Sequence, residues 1–196
     1  MGMGRGHGAW GMRHSGSVLG RLNTEPASGR PDLLAPPVVA GLAAWAGRPP
    51  DVLVAEIDPS LADTAEFCAA YGIDLEISAN CVVVAGKRGG EVRYAACMVL
   101  ATTRADVNGV VRRHLDVRKA SFAATQDTVA RTGMEYGGIT PIGLPEDWPI
   151  LVDPRVAGAP QVVIGSGVRH SKLALPGEAL VTLPGAEVIP DLARPG

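Results

Sequence analysis

Aromatic side chains are scarce: Phe, Trp and Tyr make up 4% of the 196 residues. A platform of many rings that stacks base after base is therefore excluded. Charged residues are also few, at 19%, and nearly balanced at a formal net charge of −2. That excludes a polycation that coats nucleic acid. The three cysteines, Cys68, Cys81 and Cys97, form neither a CxxC pair nor a Cys/His cluster. Cys81 and Cys97 sit in apolar runs, where a free thiol behaves as a small hydrophobe. An odd cysteine count without a secretory signal fits a reducing, cytoplasmic compartment. Long apolar runs are missing too. The run from Val38 to Gly47 is roughly half a membrane span and ends in Arg48-Pro49-Pro50. No GxSxG elbow, HExxH pair, P-loop or dinucleotide fingerprint is present.

What the chain does have is apolar mass and backbone punctuation. Hydrophobic residues reach 46%, enough for one globular domain without staples. Gly (25) and Pro (16) are abundant but unevenly spread, so they mark turns. Residues 1–31, rich in Gly, Ser, Arg and His, read as a disordered leader in which His7 and His14 are solvated. Residues 32–192 read as the domain and 193–196 as a tail.

Within the domain, Pro36-Pro37 opens a helix, and Asp51–Ile57 alternates as a strand. Asp58-Pro59-Ser60 caps a helix over Leu61–Tyr71 that Gly72 closes. Asn80–Ala85 and Glu91–Ala101 form a hairpin joined by Gly86–Gly90, with both arms apolar enough for central strands. Asp106 caps a helix to about Leu115, and a strand follows at Lys119–Phe122. Thr125 caps a helix that ends at Gly133. Short strands are expected at Ile150–Val152, Gln161–Ile164, Lys172–Leu175 and Glu187–Ile189, with a helix near Pro176–Leu183. Strands and hairpins dominate, so the class is α+β: a single domain with a curved, barrel-like mixed sheet flanked by helices.

Charge is segregated. Pro49 to Gly86 carries acids and no Lys or Arg, whereas Lys87 to Glu135 has nine bases against five acids. Arg104, Arg112, Arg113, Arg118 and Lys119 are the candidate phosphate contacts. The densest backbone signal is Gly137-Gly138-Ile139-Thr140-Pro141-Ile142-Gly143-Leu144-Pro145, a rigid loop of special angles. Such a loop can hold a carbonyl or oxyanion by main-chain N–H groups alone. His170, after the Gly165-Ser166-Gly167 turn, is a candidate loop histidine.

The order NCVVVA, EVRYAACMVLAT, RKASFA, TGMEYGGITPIGLP, VVIGSGVRHSKLAL resembles the YbaK/prolyl-tRNA synthetase-associated editing domain family, over roughly Ile77 to Leu192. The resemblance implies an aminoacyl-tRNA deacylase that hydrolyses the ester of a mischarged small amino acid at the tRNA 3′ end, without metal or other cofactor. It implies that Gly137, Gly138 and Pro141 shape the carbonyl-binding GxxxP loop, with Ile139 and Thr140 as substrate contacts inside it. Gly165, Ser166, Gly167 and His170 would line the facing side, and Thr102 and Thr103 would add polar contacts. The tRNA would meet Arg104, Arg112, Arg118 and Lys119. A synthetase is an expected partner; a membrane and DNA are not. One position departs from the pattern: Asn80 stands where these deacylases carry a lysine, and an amide donates a hydrogen bond but brings no charge. That departure is the argument for the alternative, a noncatalytic small-ligand or partner-binding module on the same fold. A third reading, with Cys81 as a nucleophile, lacks a base to activate it.

Overall fold

Seven consecutive residues, Tyr94 to Leu100, are all buried, and a strand apolar on both faces belongs in the middle of a sheet. The computed structural model, which describes residues 18–49 and 52–196, puts them there. Strand β4 (Glu91–Leu100) pairs antiparallel with β3 (Ala79–Arg88) and parallel with β7 (Ile150–Val152). Beyond β3 lies β6 (Ala120–Phe122), and beyond β7 lies β10 (Ala186–Val188), which completes a five-stranded sheet. A second, antiparallel sheet runs β1 (Thr24–Pro26), β2 (Leu53–Glu56), β9 (Ser171–Leu175), β8 (Val162–Gly165). A third pairs β5 (Thr103–Ala105) with β11 (Ala193–Pro195). The helices are α1 (Pro36–Ala44), α2 (Thr64–Tyr71), α3 (Arg112–His114), α4 (Thr125–Thr132) and α5 (Pro154–Ala157).

The two large sheets are linked backbone to backbone where β3 begins. The Val163 N–H donates to the Ile77 carbonyl at 2.7 Å, and Ser78 bridges Val163 in parallel. The start of β3 therefore abuts β8. Core residues from both sheets, among them Met98, Val152, Ile164 and Leu173, form one cluster. Burying a side chain of that size stabilises the fold by roughly 1.5–3 kcal/mol.

Several expectations are corrected. The described strands form three sheets that do not close into a barrel; the mixed helix-and-sheet class stands. Within the expected leader, Thr24–Pro26 pairs with β2 and Ala27 is buried, because the edge of the second sheet accepts one more strand. Positions 1–17, with His7 and His14, and positions 50–51 lie outside the described residues. The expected tail is β11: Ala193 is buried and its N–H donates to the Asp153 carboxylate at 3.1 Å. The hairpin turn is only Gly89-Gly90, both at positive φ, so the arms run on to Arg88 and Glu91. Asp58 caps a 3₁₀ turn, Pro59–Leu61, rather than α2, which begins three residues later. Thr125 is the first helical residue of α4, with Ala124 before it. Asp106 does cap, accepting from the Gly109 and Val110 N–H groups, but what it opens is a π turn, Val107–Val111, ahead of α3. Pro176 leads into 3₁₀ backbone, Gly177–Thr182, rather than an α-helix.

Candidate functional site

A cavity of about 310 Å³ opens at the junction of the two sheets. Its walls come from the N-terminus of α2, the start of β3, the Tyr136–Ile139 loop, and β8 with β9. Asn80, Gly137, Ile139 and Gly165, expected from the sequence, all line it; so do Asp63, Thr64, Cys81, Tyr136 and Lys172.

The loop is held by main-chain zippering. Glu135 N–H donates to the Gly167 carbonyl at 2.8 Å, and Gly167 N–H donates to the Gly138 carbonyl at 2.7 Å. Glycine is required on both sides. A Cβ on Gly165 would clash with the carbonyl oxygens of Gly138 and Ile139, and one on Gly138 would sit 2.5 Å from the Val168 carbonyl oxygen. Gly137 adopts φ +83°, in the left-handed region that disfavours side chains. Arg169 ties the outer rim: its guanidinium donates to the Tyr136 and Pro59 carbonyls, both at 3.2 Å, and pairs with Asp63 at 3.4 Å. Gly138 N–H is used by the Glu135 carbonyl. By contrast, the N–H groups of Gly137 and Ile139, two residues that line the cavity, donate to no acceptor among the described residues.

Asn80 and Lys172 are among the polar side chains of the wall. Asn80 Oδ1 accepts from the Thr64 hydroxyl at 2.9 Å, which fixes the amide and leaves Nδ2 as a donor. Lys172 lies directly across the β8–β9 ladder from Gly165, so its stem leaves the same face of the sheet, beside the loop. Its ammonium donates to the Ala62 carbonyl at 3.0 Å and lies 5.2 Å from the Phe67 ring centroid. No carboxylate pairs with it among the described residues. Burial, followed by the nearby Arg169 charge, lowers its pKa from the ordinary lysine value. The sequence reading missed this lysine; its signal was a lone cation in SKLAL, whose Leu173, Ala174 and Leu175 are all buried.

The structure does not bring the other expected residues to the cavity wall. Pro141 lines a separate cleft with Pro37, Trp45 and Trp148, so it directs the chain behind the loop. Thr140 is fully buried, its hydroxyl without a hydrogen-bond partner among the described residues. Ser166 is an internal hub, donating to the Val168 and Ser171 carbonyls and accepting from the Ser171 hydroxyl. A Cβ on Gly167 would meet Ala35 and Val38, so this turn packs against α1 and the residue before it. His170 is half-buried on the Asp32 side, its carbonyl accepting from the Ile57 N–H. Thr103 Oγ1 donates to the Leu100 carbonyl, and the Thr102 carbonyl accepts from Gly196. Arg104 is on β5, and Arg112 Nε donates to the Asn108 carbonyl. Arg118 and Lys119 line a different groove, beside β6.

Cys81 reaches the cavity, but burial pushes its thiol well above its ordinary value, and Cys97 is pushed up to about 12. A protonated thiol is a poor nucleophile, which weighs against the cysteine reading. Among the described residues no group of three or more His, Cys, Asp or Glu side chains is placed to hold a metal ion. No described helix is long and apolar enough to cross a membrane.

The chain is an α+β protein with a glycine-built loop facing a cavity at the junction of its two large sheets. The aminoacyl-tRNA editing domain model matches residues 58–183, so the chain belongs to that family. At family level the activity is that of an aminoacyl-tRNA deacylase, a hydrolase. Among solved structures, a candidate trans-editing enzyme for prolyl-tRNA synthetase superposes with TM-score 0.67 at 22% identity, covering 83% of this chain and 99% of that one. The hypothetical protein APE2540 superposes with TM-score 0.65 at 21% identity, covering 74% and 92%. These likenesses establish the fold. No curated protein matches the chain.

Proposed function

We propose that this chain is a cytoplasmic trans-editing deacylase that removes a small, misattached amino acid from tRNA. The observation that carries the reading is the pair of unused N–H groups of Gly137 and Ile139, two residues that line a small cavity of mixed polar and apolar character. The ester carbonyl oxygen accepts from these donors. Water attacks the carbonyl carbon, and the same donors stabilise the oxyanion of the tetrahedral intermediate. Collapse breaks the acyl–oxygen bond, and the ribose oxygen leaves with a proton, giving free amino acid and a tRNA 3′ hydroxyl. Donors already fixed by the backbone need no reorganisation at that moment, and no metal enters these steps. Asn80 Nδ2 and the Lys172 ammonium orient the substrate's oxygen atoms. Lys172 thereby supplies the cation that Asn80 lacks, which favours catalysis over the noncatalytic module. A cavity of about 310 Å³ is near the small end of ligand pockets, typically about 300–1,000 Å³, and suits a small acyl group. The neighbour described as acting for prolyl-tRNA synthetase supports a synthetase as a second partner.

The test is a panel of mischarged tRNAs, with deacylation followed for the wild type and for Gly138→Val. The wild type should hydrolyse at least one small aminoacyl ester, and the variant should lose roughly a hundredfold or more, as when an oxyanion donor is displaced. A chelator should leave the rate within twofold. Absence of hydrolysis across the panel, or a rate indifferent to Gly138→Val, would overturn the proposal in favour of the binding module.

A further inference from the structure

The cavity does not end at its own wall. A cleft along β3 shares Cys81, Tyr136 and Ile139 with it. That cleft shares Phe122 and Ala123 with a broad groove beside β6. The route runs from Asn80 to Lys87 on one strand, roughly 23 Å at the usual rise per residue.

Its chemistry is not that of an ordinary solvated face. Tyr136 and Phe122 stand along it at 64% and 65% exposure, two of the few large hydrophobic residues left in solvent. At the far end the groove is rimmed by Lys87, Arg118, Lys119 and Arg131, against a single acid, Asp127. None of these cations is ion-paired among the described residues, though Arg131 lies 4.8 Å over the Tyr94 ring, whereas neighbouring Arg88 and Arg93 are both paired to Asp116. Aromatic faces followed by unpaired cations suit unpaired bases followed by phosphates.

We propose that this track is the docking surface for the acceptor end of tRNA. The single-stranded 3′ end lies along β3, its bases stacking on Tyr136 and Phe122, while the acceptor-stem phosphates sit in the Lys87–Arg131 groove. The proposal rests on the deacylase reading and extends it to the polynucleotide partner. It also revises the charge argument from sequence: Arg118 and Lys119 belong to the track, and Arg104 and Arg112 do not.

The test uses the full chain and an uncharged RNA minihelix with its unpaired 3′ end, so that binding is read without hydrolysis. Phe122→Ser and Tyr136→Ser should each weaken binding roughly tenfold. They should have little effect on a blunt minihelix. Lys119→Glu should weaken both RNAs and lower the salt slope by about one unit. Arg48→Glu, an exposed charge change after α1, should stay within twofold. The proposal would be overturned by equal losses in Arg48→Glu, by indifference to the unpaired 3′ end, or by equal displacement by an acidic polypeptide. A dimer that sediments as such and is dissolved by Phe122→Ser would assign the surface to a second copy instead, and would overturn it too. Failure of deacylation with minihelix binding intact would count against the catalytic reading alone.

Discussion

The Lys172 ammonium lies against Phe67 with one main-chain acceptor, and desolvation lowers its pKa. The sign of its effect on stability follows. Between the lowered folded value and the ordinary 10.5, the unfolded chain binds more protons, so stability rises with pH through that window. Below the window the charge carries its full penalty. Lys172→Met should therefore melt higher than the wild type at pH 7, with the advantage shrinking toward pH 10.5. Its deacylation kcat/KM should fall by roughly tenfold or more, the loss expected of a charge-assisted hydrogen bond. Thermal melts at the two pH values and single-turnover assays check both halves. A lower melting point at pH 7 would mean that the Ala62 hydrogen bond outweighs burial. Asn80 was legible through the family resemblance, because it opens the β3 motif that carries it. Lys172 was not, because SKLAL alone does not say which wall its side chain meets.

Elements were legible where local chemistry specifies them. Gly72 and Gly133 end α2 and α4 in the left-handed conformation that a C-terminal glycine allows. The β-rich apolar runs and glycines around residues 80–101 announced the hairpin, although Gly89-Gly90 makes a tighter turn than five residues suggested. The three-residue strands β1, β5 and β11 were not legible, since each exists only through its partner. Asp153 shows what secures one of them. Its buried carboxylate accepts from the Arg155 N–H at 2.8 Å and the Ala193 N–H at 3.1 Å. Asp153→Ala should destabilise the protein by about 1–3 kcal/mol, since it strands buried donors, and should free β11. Denaturant unfolding and amide exchange at Ala193 measure both effects. At β8, Gly165→Ala should lower the melting temperature and also the deacylation rate, because the added methyl meets the carbonyl oxygens of Gly138 and Ile139. A rate loss that recovers once the fraction folded is corrected for would leave Gly165 with a packing role only.

At the scale of the molecule, one junction decides the site: Ser78 against Val163, where the five-stranded and four-stranded sheets touch. Asn80 from the first sheet, Gly165 and Lys172 from the second, and the Gly137–Ile139 loop all converge there. The sequence by itself determined the α+β class, the hairpin, the helix stops and the glycine loop. These depend on φ preferences and on apolar periods of a few residues, which neighbours in the chain express. Only the tertiary structure decided the rest: that Lys172 shares a cavity with Asn80, that Ser166 and His170 do not line it, and that Pro141 turns to another cleft. Those facts depend on strand register and on which sheet edge meets which, and contacts between residues far apart in the chain set both.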